Sequence, residues 1–330
     1  MPPKAKTTTK TKKKKTAVVR KTKPEAQKHA RFRSRGPHKC VVSAEGRSLK
    51  GVHSVLAKTI AAKFNYDKAK ENGTLREEKR ERTEQCVPMP VCITKRRKLA
   101  YSKKEGTKLD GQMTRVAKLC FPLSDARKKK GELNTAEAAV PLMVLVDPQV
   151  RAQYFATGHT SPPSLLAPYT PPSAALKKRI QDLCGSLMNE TLQVLHYLAT
   201  HRWRIAGTQV VVAKGDVGTQ VDLVLVRDSC ADENGQMQHE YLVCELKNGC
   251  TANWTHGKSM GSPYVGKLFT THREYQAQTM LNGRLFRHRY PGRRMLPPLL
   301  MRPDRTGLWL DIVPAWMKEK EEALAARCGC

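Results

Sequence analysis

The sequence is poor in acidic residues, in aromatics and in long apolar runs, and each shortage removes a class of protein. Only 29 of its 330 residues are Asp or Glu, against 60 Lys and Arg, a formal net charge of +31. A balance this one-sided points to a polyanionic partner, and nucleic acid comes first. Aromatics make up 6% and hydrophobic residues 39% of the chain, so part of it is expected to stay outside any packed core. No apolar run approaches the ~18 residues that a membrane-spanning helix needs. The longest, Ala138 to Val146, is broken by Pro141. The opening Met1-Pro-Pro-Lys4 has no apolar stretch of the secretory kind. Ten cysteines lie at irregular spacing without a Cys-x-x-Cys, which speaks against zinc modules and disulfide frameworks and for a reducing, intracellular setting. The ten histidines show no metal-ligand spacing. Cys328 and Cys330 sit as in a prenylation signal, but nothing around them supports that reading.

What is present is unevenly distributed. Residues 1–175 hold 39 basic and 14 acidic residues, a net of +25, whereas residues 176–330 hold 21 and 15, a net of +6. Residues 1–38 read as a disordered basic tail, because such a composition buries too little apolar surface to offset the entropy of ordering. Its run Lys12, Lys13, Lys14, Lys15 and the later Lys95, Arg96, Arg97, Lys98 read as nuclear targeting signals for an import receptor or as an arm that grips DNA. A merely solubilising tail is the alternative. Residues 39–158 read as a basic, mainly helical region of unknown role. Val52, Val55, Leu56, Ile60 and Phe64 recur at helical spacing, so a helix is expected over 49–69. The charge-alternating stretch Arg76 to Glu84 reads as a solvated helix, and Ala138 to Val146 as a buried strand. Five prolines at 162, 163, 168, 171 and 172 mark residues 159–175 as a linker. Residues 176–330 then form a domain of their own.

In that last part Leu176, Ile180, Leu183, Leu187, Val194 and Leu198 make one apolar stripe, predicting a helix over 175–200. Glu190 falls on the stripe, where a carboxylate is costly unless it is paired. Thr208 to Ala213 reads as a strand. Val221 to Val226 reads as a central strand interrupted by Asp222, and Glu240 to Lys247 as the next strand. Side chains alternate across a strand, so Glu245 and Lys247 share a face. If Asp222 opens one strand of this hairpin and Glu245 closes the other, both carboxylates meet at one sheet edge. Two carboxylates beside an ammonium suit a hard divalent cation and a phosphate substrate.

Glu190 on a helix, Gly218-Thr-Gln-Val-Asp222 on one strand and Glu245-Leu-Lys247 on the next together resemble the PD-(D/E)XK nuclease superfamily. The resemblance spans about residues 176–315 and implies an α/β fold: a mixed central β-sheet flanked by helices, the restriction-endonuclease-like core, here preceded by a basic, partly disordered half. It implies Mg2+, with Mn2+ as a substitute, and no organic cofactor. Asp222, Glu245 and the carbonyl of Leu246 would be metal ligands, with Glu190 as a further ligand, and Lys247 the catalytic lysine. Val221 stands where the name-giving Pro would be. The RecB and lambda-exonuclease branches also place a glutamine on the following helix. Of Gln276 and Gln278, the latter shares a face with Tyr275, Leu281 and Leu285 and is the catalytic candidate. Gly307 to Val313 would be a late strand.

Lesser signals complete the reading. Gly257-Lys-Ser-Met-Gly261 matches a nucleophile elbow, but polar residues precede it where a strand is required, so it reads as a substrate-side loop. In that loop Lys258 and Lys267, with Trp254 and Tyr264, are candidates to meet a phosphate backbone or stack on a base. Arg284, Arg287 and Arg289, together with Arg293 and Arg294, are expected to line the approach and hold DNA. The expected function is Mg2+-dependent hydrolysis of DNA phosphodiester bonds in processing, recombination or repair, in the nucleus, with no membrane partner. A viral or mobile-element origin fits such a small tailed nuclease. RNA as substrate stays open. The rival is a basic nucleic-acid-binding or packaging protein with an inactive nuclease core.

Overall fold

In chain order the elements are β1 (Arg31–Arg33), β2 (Cys40–Val42), α1 (Val52–Thr59), α2 (Tyr66–Glu71), β3 (Arg76–Glu77), β4 (Glu84–Val87) and α3 (Leu99–Cys120). There follow α4 (Asp125–Lys129), α5 (Leu142–Val146), α6 (Pro148–Thr157), α7 (Ala174–Ser186), α8 (Asn189–Thr200), β5 (Arg204–Lys214), β6 (Val217–Ala231) and β7 (Met237–Leu246). The last are β8 (Trp254–Thr255), α9 (Thr271–Arg289), β9 (Arg294–Met295), β10 (Leu299–Pro303), β11 (Leu308–Ile312), α10 (Ala315–Lys318) and α11 (Glu321–Cys328). The computed structural model describes residues 30–33, 40–45, 47–60, 66–77, 84–87, 99–160, 170–231, 237–247, 254–255, 257–303 and 307–330.

The apolar runs Leu223–Val226 of β6 and Tyr241–Cys244 of β7 lie at the heart of a mixed sheet ordered β4-β11-β10-β7-β6-β5, with β9 also beside β7. β5, β6 and β7 form an antiparallel meander, whereas β10 and β9 run parallel to β7. Parallel neighbours need a long connection, and α9 lies within it. β9 and β10 lie along the same edge of β7, interrupted at Leu296, Pro297 and Pro298, because proline has no N–H for the ladder. Alternation along β7 sends Leu242, Cys244 and Leu246 into one core and Tyr241 and Val243 into the other. The first core is completed by Leu109, Met113 and Val116 of α3, Val144 and Leu145 of α5 and Leu195 of α8. The second is completed by Val52, Val55 and Leu56 of α1, Leu281 and Leu285 of α9 and Leu324 of α11. Each such buried side chain contributes ~1.5–3 kcal/mol.

Several expectations change. The helix expected over 175–200 is two helices, broken at Leu187 and Met188. The N-cap residue of α8, Met188, makes no side-chain cap bond; the buried Gln112 of α3 meets this end instead, its Oε1 accepting from Met188 N at 3.0 Å and from the Thr191 hydroxyl, its Nε2 donating to Ser186 O at 2.7 Å. Ala138 to Val146 holds a short helix, α5, which Pro141 opens at the position where a missing N–H costs nothing. Arg76 to Glu84 is not helical where it is described: Arg76 and Glu77 pair with β8, and Glu84 begins the edge strand β4. Arg31–Arg33 is a strand inside the expected tail, paired with β2. Residues 39–158 do not form a region apart from 176–330, because α1 and α3 bury their apolar stripes on opposite faces of the shared sheet. Phe64, Lys12 to Lys15, Lys95 to Lys98 and residues 161–169 of the Pro-rich segment lie outside the described residues.

Candidate active site

The β6–β7 ladder ends with Leu223 opposite Cys244, and one further step of the same register sets Asp222 opposite Glu245. At that step a side chain replaces the ladder: Leu246 N donates to Asp222 Oδ2 at 2.9 Å. In an extended strand the N–H and C=O of one residue point to the same edge, so the Leu246 carbonyl is directed toward Asp222 as well. Glu245 is 3% exposed. Its Oε1 accepts from Lys247 Nζ and from Gln278 Nε2, both at 2.6 Å, and its Oε2 accepts from Asn282 Nδ2 at 2.8 Å. Burial and the Asp222 carboxylate push the Glu245 carboxyl up to about 8 despite the nearby ammonium. Lys247 lies 4.9 Å from the centroid of the Tyr275 ring. Burial works against its charge, but Glu245 and Asp222 hold its proton more tightly than that of a free lysine.

α9 supplies the wall facing Glu245. Glu274, Gln278 and Asn282 stand four residues apart on one face. Glu274 is buried, 3.3 Å from His53 Nδ1 of α1; burial raises its carboxyl, while His53 and Lys247 act to lower it. Gln276 points elsewhere, its Nε2 donating to the buried Asp311 Oδ1 at 3.2 Å, with His272 Nε2 2.6 Å from Oδ2. On the other side of the carboxylate pair, Gln209 Nε2 donates to Asp222 Oδ1 at 3.2 Å.

Asp110 lies on α3. Burial and Asp222 push the half-buried Asp110 up to about 7, with Lys247 acting in the opposite direction. Asp110, Gln209, Glu274 and Asn282 are among the residues that sequence reasoning missed. The signal for Asp110 was present, because it stands three residues before Met113 beside the apolar stripe Leu109, Met113, Val116. Asn282 carried none, since a neutral amide on a helix has no distinguishing pattern.

The other expected site residues are distributed as follows. Glu190 is buried on the first turn of α8. Lys258 and Lys267 are exposed, and Lys267 Nζ lies 5.4 Å from the Trp316 ring centroid. Tyr264 is not a surface platform: it is fully buried and its hydroxyl donates to Met317 O at 3.3 Å. The side chain of Trp254 lies outside the described residues. Arg284 and Arg287 do not line the approach. Helical phase turns them away from Gln278 and onto α11, where Arg284 pairs with Glu322 at 2.8 Å and Arg287 with Glu321. Arg289 bonds the Tyr290 hydroxyl at 3.1 Å, and Arg293 bonds the Tyr241 hydroxyl at 2.8 Å. Arg294 pairs with Glu240 at 3.0 Å.

The arrangement offers oxygen donors, a buried excess of negative charge and one fixed ammonium. Among the described residues no three His, Cys, Asp or Glu side chains enclose an ion by themselves. Any cation held here would therefore share its coordination between side chains, the main chain and its own waters or substrate. Among the described residues no helix is long and apolar enough to cross a membrane. Compared with known proteins, the chain matches no family profile, no curated protein and no solved structure.

Proposed function

We propose that this chain is a divalent-metal-dependent nuclease that hydrolyses phosphodiester bonds in DNA, built on a restriction-endonuclease-like core. The observation that carries the reading is the meeting of Asp222 and Glu245 at the end of the β6–β7 ladder with Lys247 bonded to Glu245. The donor set suits Mg2+ or Mn2+: all-oxygen ligands, and a Glu245 carboxyl that burial and the Asp222 charge leave short of a cation. Asp222, Glu245 and the Leu246 carbonyl would hold the ion, with Glu190 as the further ligand that the resemblance implies. A bound cation supplies Lewis-acid polarisation of the phosphoryl oxygens and neutralises their charge. Lys247 keeps its proton and presents an ammonium that can orient a water or meet charge developing on the phosphate. Gln278 and Asn282 hold the Glu245 carboxylate in one rotamer, which preorganises the site. The basic N-terminal segment and the exposed Lys258 and Lys267 meet the DNA backbone, and the nucleus is the compartment that fits the targeting runs.

The test is plasmid nicking and linear-duplex digestion with and without Mg2+, comparing wild type with Asp222→Ala and Glu245→Gln. Cleavage that needs Mg2+ and falls at least ~1,000-fold in both variants, with DNA binding kept, is the expected result. Binding without cleavage by the wild type would sink the nuclease reading and leave a DNA-binding protein.

A further inference from the structure

The pairing of β5 with β6 runs through Thr208 opposite Leu223 and Val210 opposite Val221, which sets Gln209 directly across from Asp222. Gln209 has a φ of 51°, in the left-handed region. A residue with a Cβ adopts that conformation at a cost, and inside a strand the position would ordinarily fall to glycine or asparagine. The strand is already irregular here, with a register shift between Ile205 and Gly207. The strained residue directs an amide at the carboxylate: Gln209 Nε2 donates to Asp222 Oδ1 at 3.2 Å, while Leu246 N donates to Oδ2 at 2.9 Å. Each oxygen of Asp222 is thereby held from a different neighbouring strand. Strain that survives in a folded chain is a sign that the surroundings use it.

We propose that Gln209 is a positioning residue for Asp222, its left-handed backbone serving to aim one amide N–H at the carboxylate so that the other face of Asp222 is presented for a divalent cation. The inference rests on the nuclease reading. A glutamine that merely filled an irregular strand would be replaceable without consequence for metal. One that fixes Asp222 is not, because freeing one carboxylate oxygen lets the side chain rotate away from the geometry shared with Glu245.

The strain makes the roles separable. In Gln209→Gly the backbone relaxes and the amide is lost. That variant is expected to melt ~2 °C above wild type without metal. Its Mg2+ concentration for half-maximal cleavage should rise ~10-fold or more, and its Mn2+-induced rise in Tm should shrink, with KM for DNA unchanged. Gln209→Asn tolerates the same backbone but is one methylene shorter, so it should keep wild-type stability and lose metal response. Wild-type Mg2+ titrations and Mn2+ shifts in both variants would overturn the proposal while leaving the nuclease reading intact. A Gly variant that melts below wild type would overturn the strain argument on which it stands. A wild type with neither cleavage nor a Mn2+ shift would remove the nuclease reading, and the proposal with it.

Discussion

Glu245 accepts hydrogen bonds from Lys247, Gln278 and Asn282, and three such donors would ordinarily make a carboxyl more acidic. Burial and the carboxylate of Asp222 outweigh them and carry it from 4.5 to about 8, and the same two causes carry Asp110 from 3.8 to about 7. Both carboxyls hold a proton more tightly folded than unfolded. Their contribution is therefore fully present below the unfolded values and is lost as pH rises through about 7 and about 8. Without metal, Tm is expected to fall between pH 5.5 and 8.5, more shallowly in Asp110→Asn. Mg2+ should restore more stability at the alkaline end, because ligands must be deprotonated to bind. Melts at constant ionic strength with and without Mg2+ check both slopes; an Asp110→Asn slope equal to wild type would remove Asp110 from the group. At this scale Asp222, Glu245 and Lys247 were legible because each carboxylate breaks an apolar run where a strand cannot easily bury it. Asp110 was hidden in a lysine-rich stretch whose apolar stripe is diluted by Lys103, Lys104, Lys108 and Arg115.

Among elements, α9 organises the site by dividing its faces: Glu274, Gln278 and Asn282 toward β7, His272 and Gln276 toward Asp311, Arg284 and Arg287 toward α11. A helix here was expected from the resemblance alone, and which arginines faced the site was not legible, since that depends on where α11 packs. The stretch Arg76 to Glu84 misled for a related reason. Its charges suit a solvated helix locally, yet Glu84–Val87 completes the sheet beside β11, and charged residues are common on an edge strand. The loop that matches a nucleophile elbow also finds its explanation here. Ser259 Oγ accepts from Gly266 N at 2.9 Å within the loop, and Gly261 N donates to Ile60 O at 3.0 Å. A Cβ on Gly261 would lie 2.1 Å from Thr59 O, a backbone atom that has nowhere to move without displacing α1. Gly261→Ala is expected to lower unfolding free energy by ~2 kcal/mol. Denaturant melts check this, and an unchanged midpoint would mean that α1 is not pinned by this loop. Ser259→Ala should leave cleavage within about twofold of wild type, which separates a packing glycine from a catalytic serine.

For the whole molecule, the charge and the fold divide the chain at different places. The net of +25 over residues 1–175 against +6 over 176–330 suggested a basic appendage on a nearly neutral enzyme, with the Pro-rich segment between them. The packing places the division much earlier. α1 and α3 are built into the two cores, and Gln112 meets the start of α8 across 76 residues of sequence. Even β2 belongs to the body: Val41 and Val42 are buried, and a Cβ on Gly218 of β6 would lie 2.8 Å from Val41 Cγ1. The described body therefore reaches back to β1, and residues 1–29 carry eleven Lys and Arg against the single Glu25. Deleting residues 1–29 is expected to leave Tm and Mg2+-dependent cleavage of short oligonucleotides unchanged. It should weaken binding to long DNA and lower the slope of log affinity against log salt by ~0.9 for each phosphate that the tail had neutralised. Deleting residues 1–44 removes β1 and β2 as well, and should add a loss of Tm, because the surface around Gly218 is then uncovered. Salt titrations, melts and cleavage on the two truncations separate delivery from folding. A loss of short-oligonucleotide cleavage in the shorter truncation, with binding kept, would place residues 1–29 in the catalytic machinery and contradict the division.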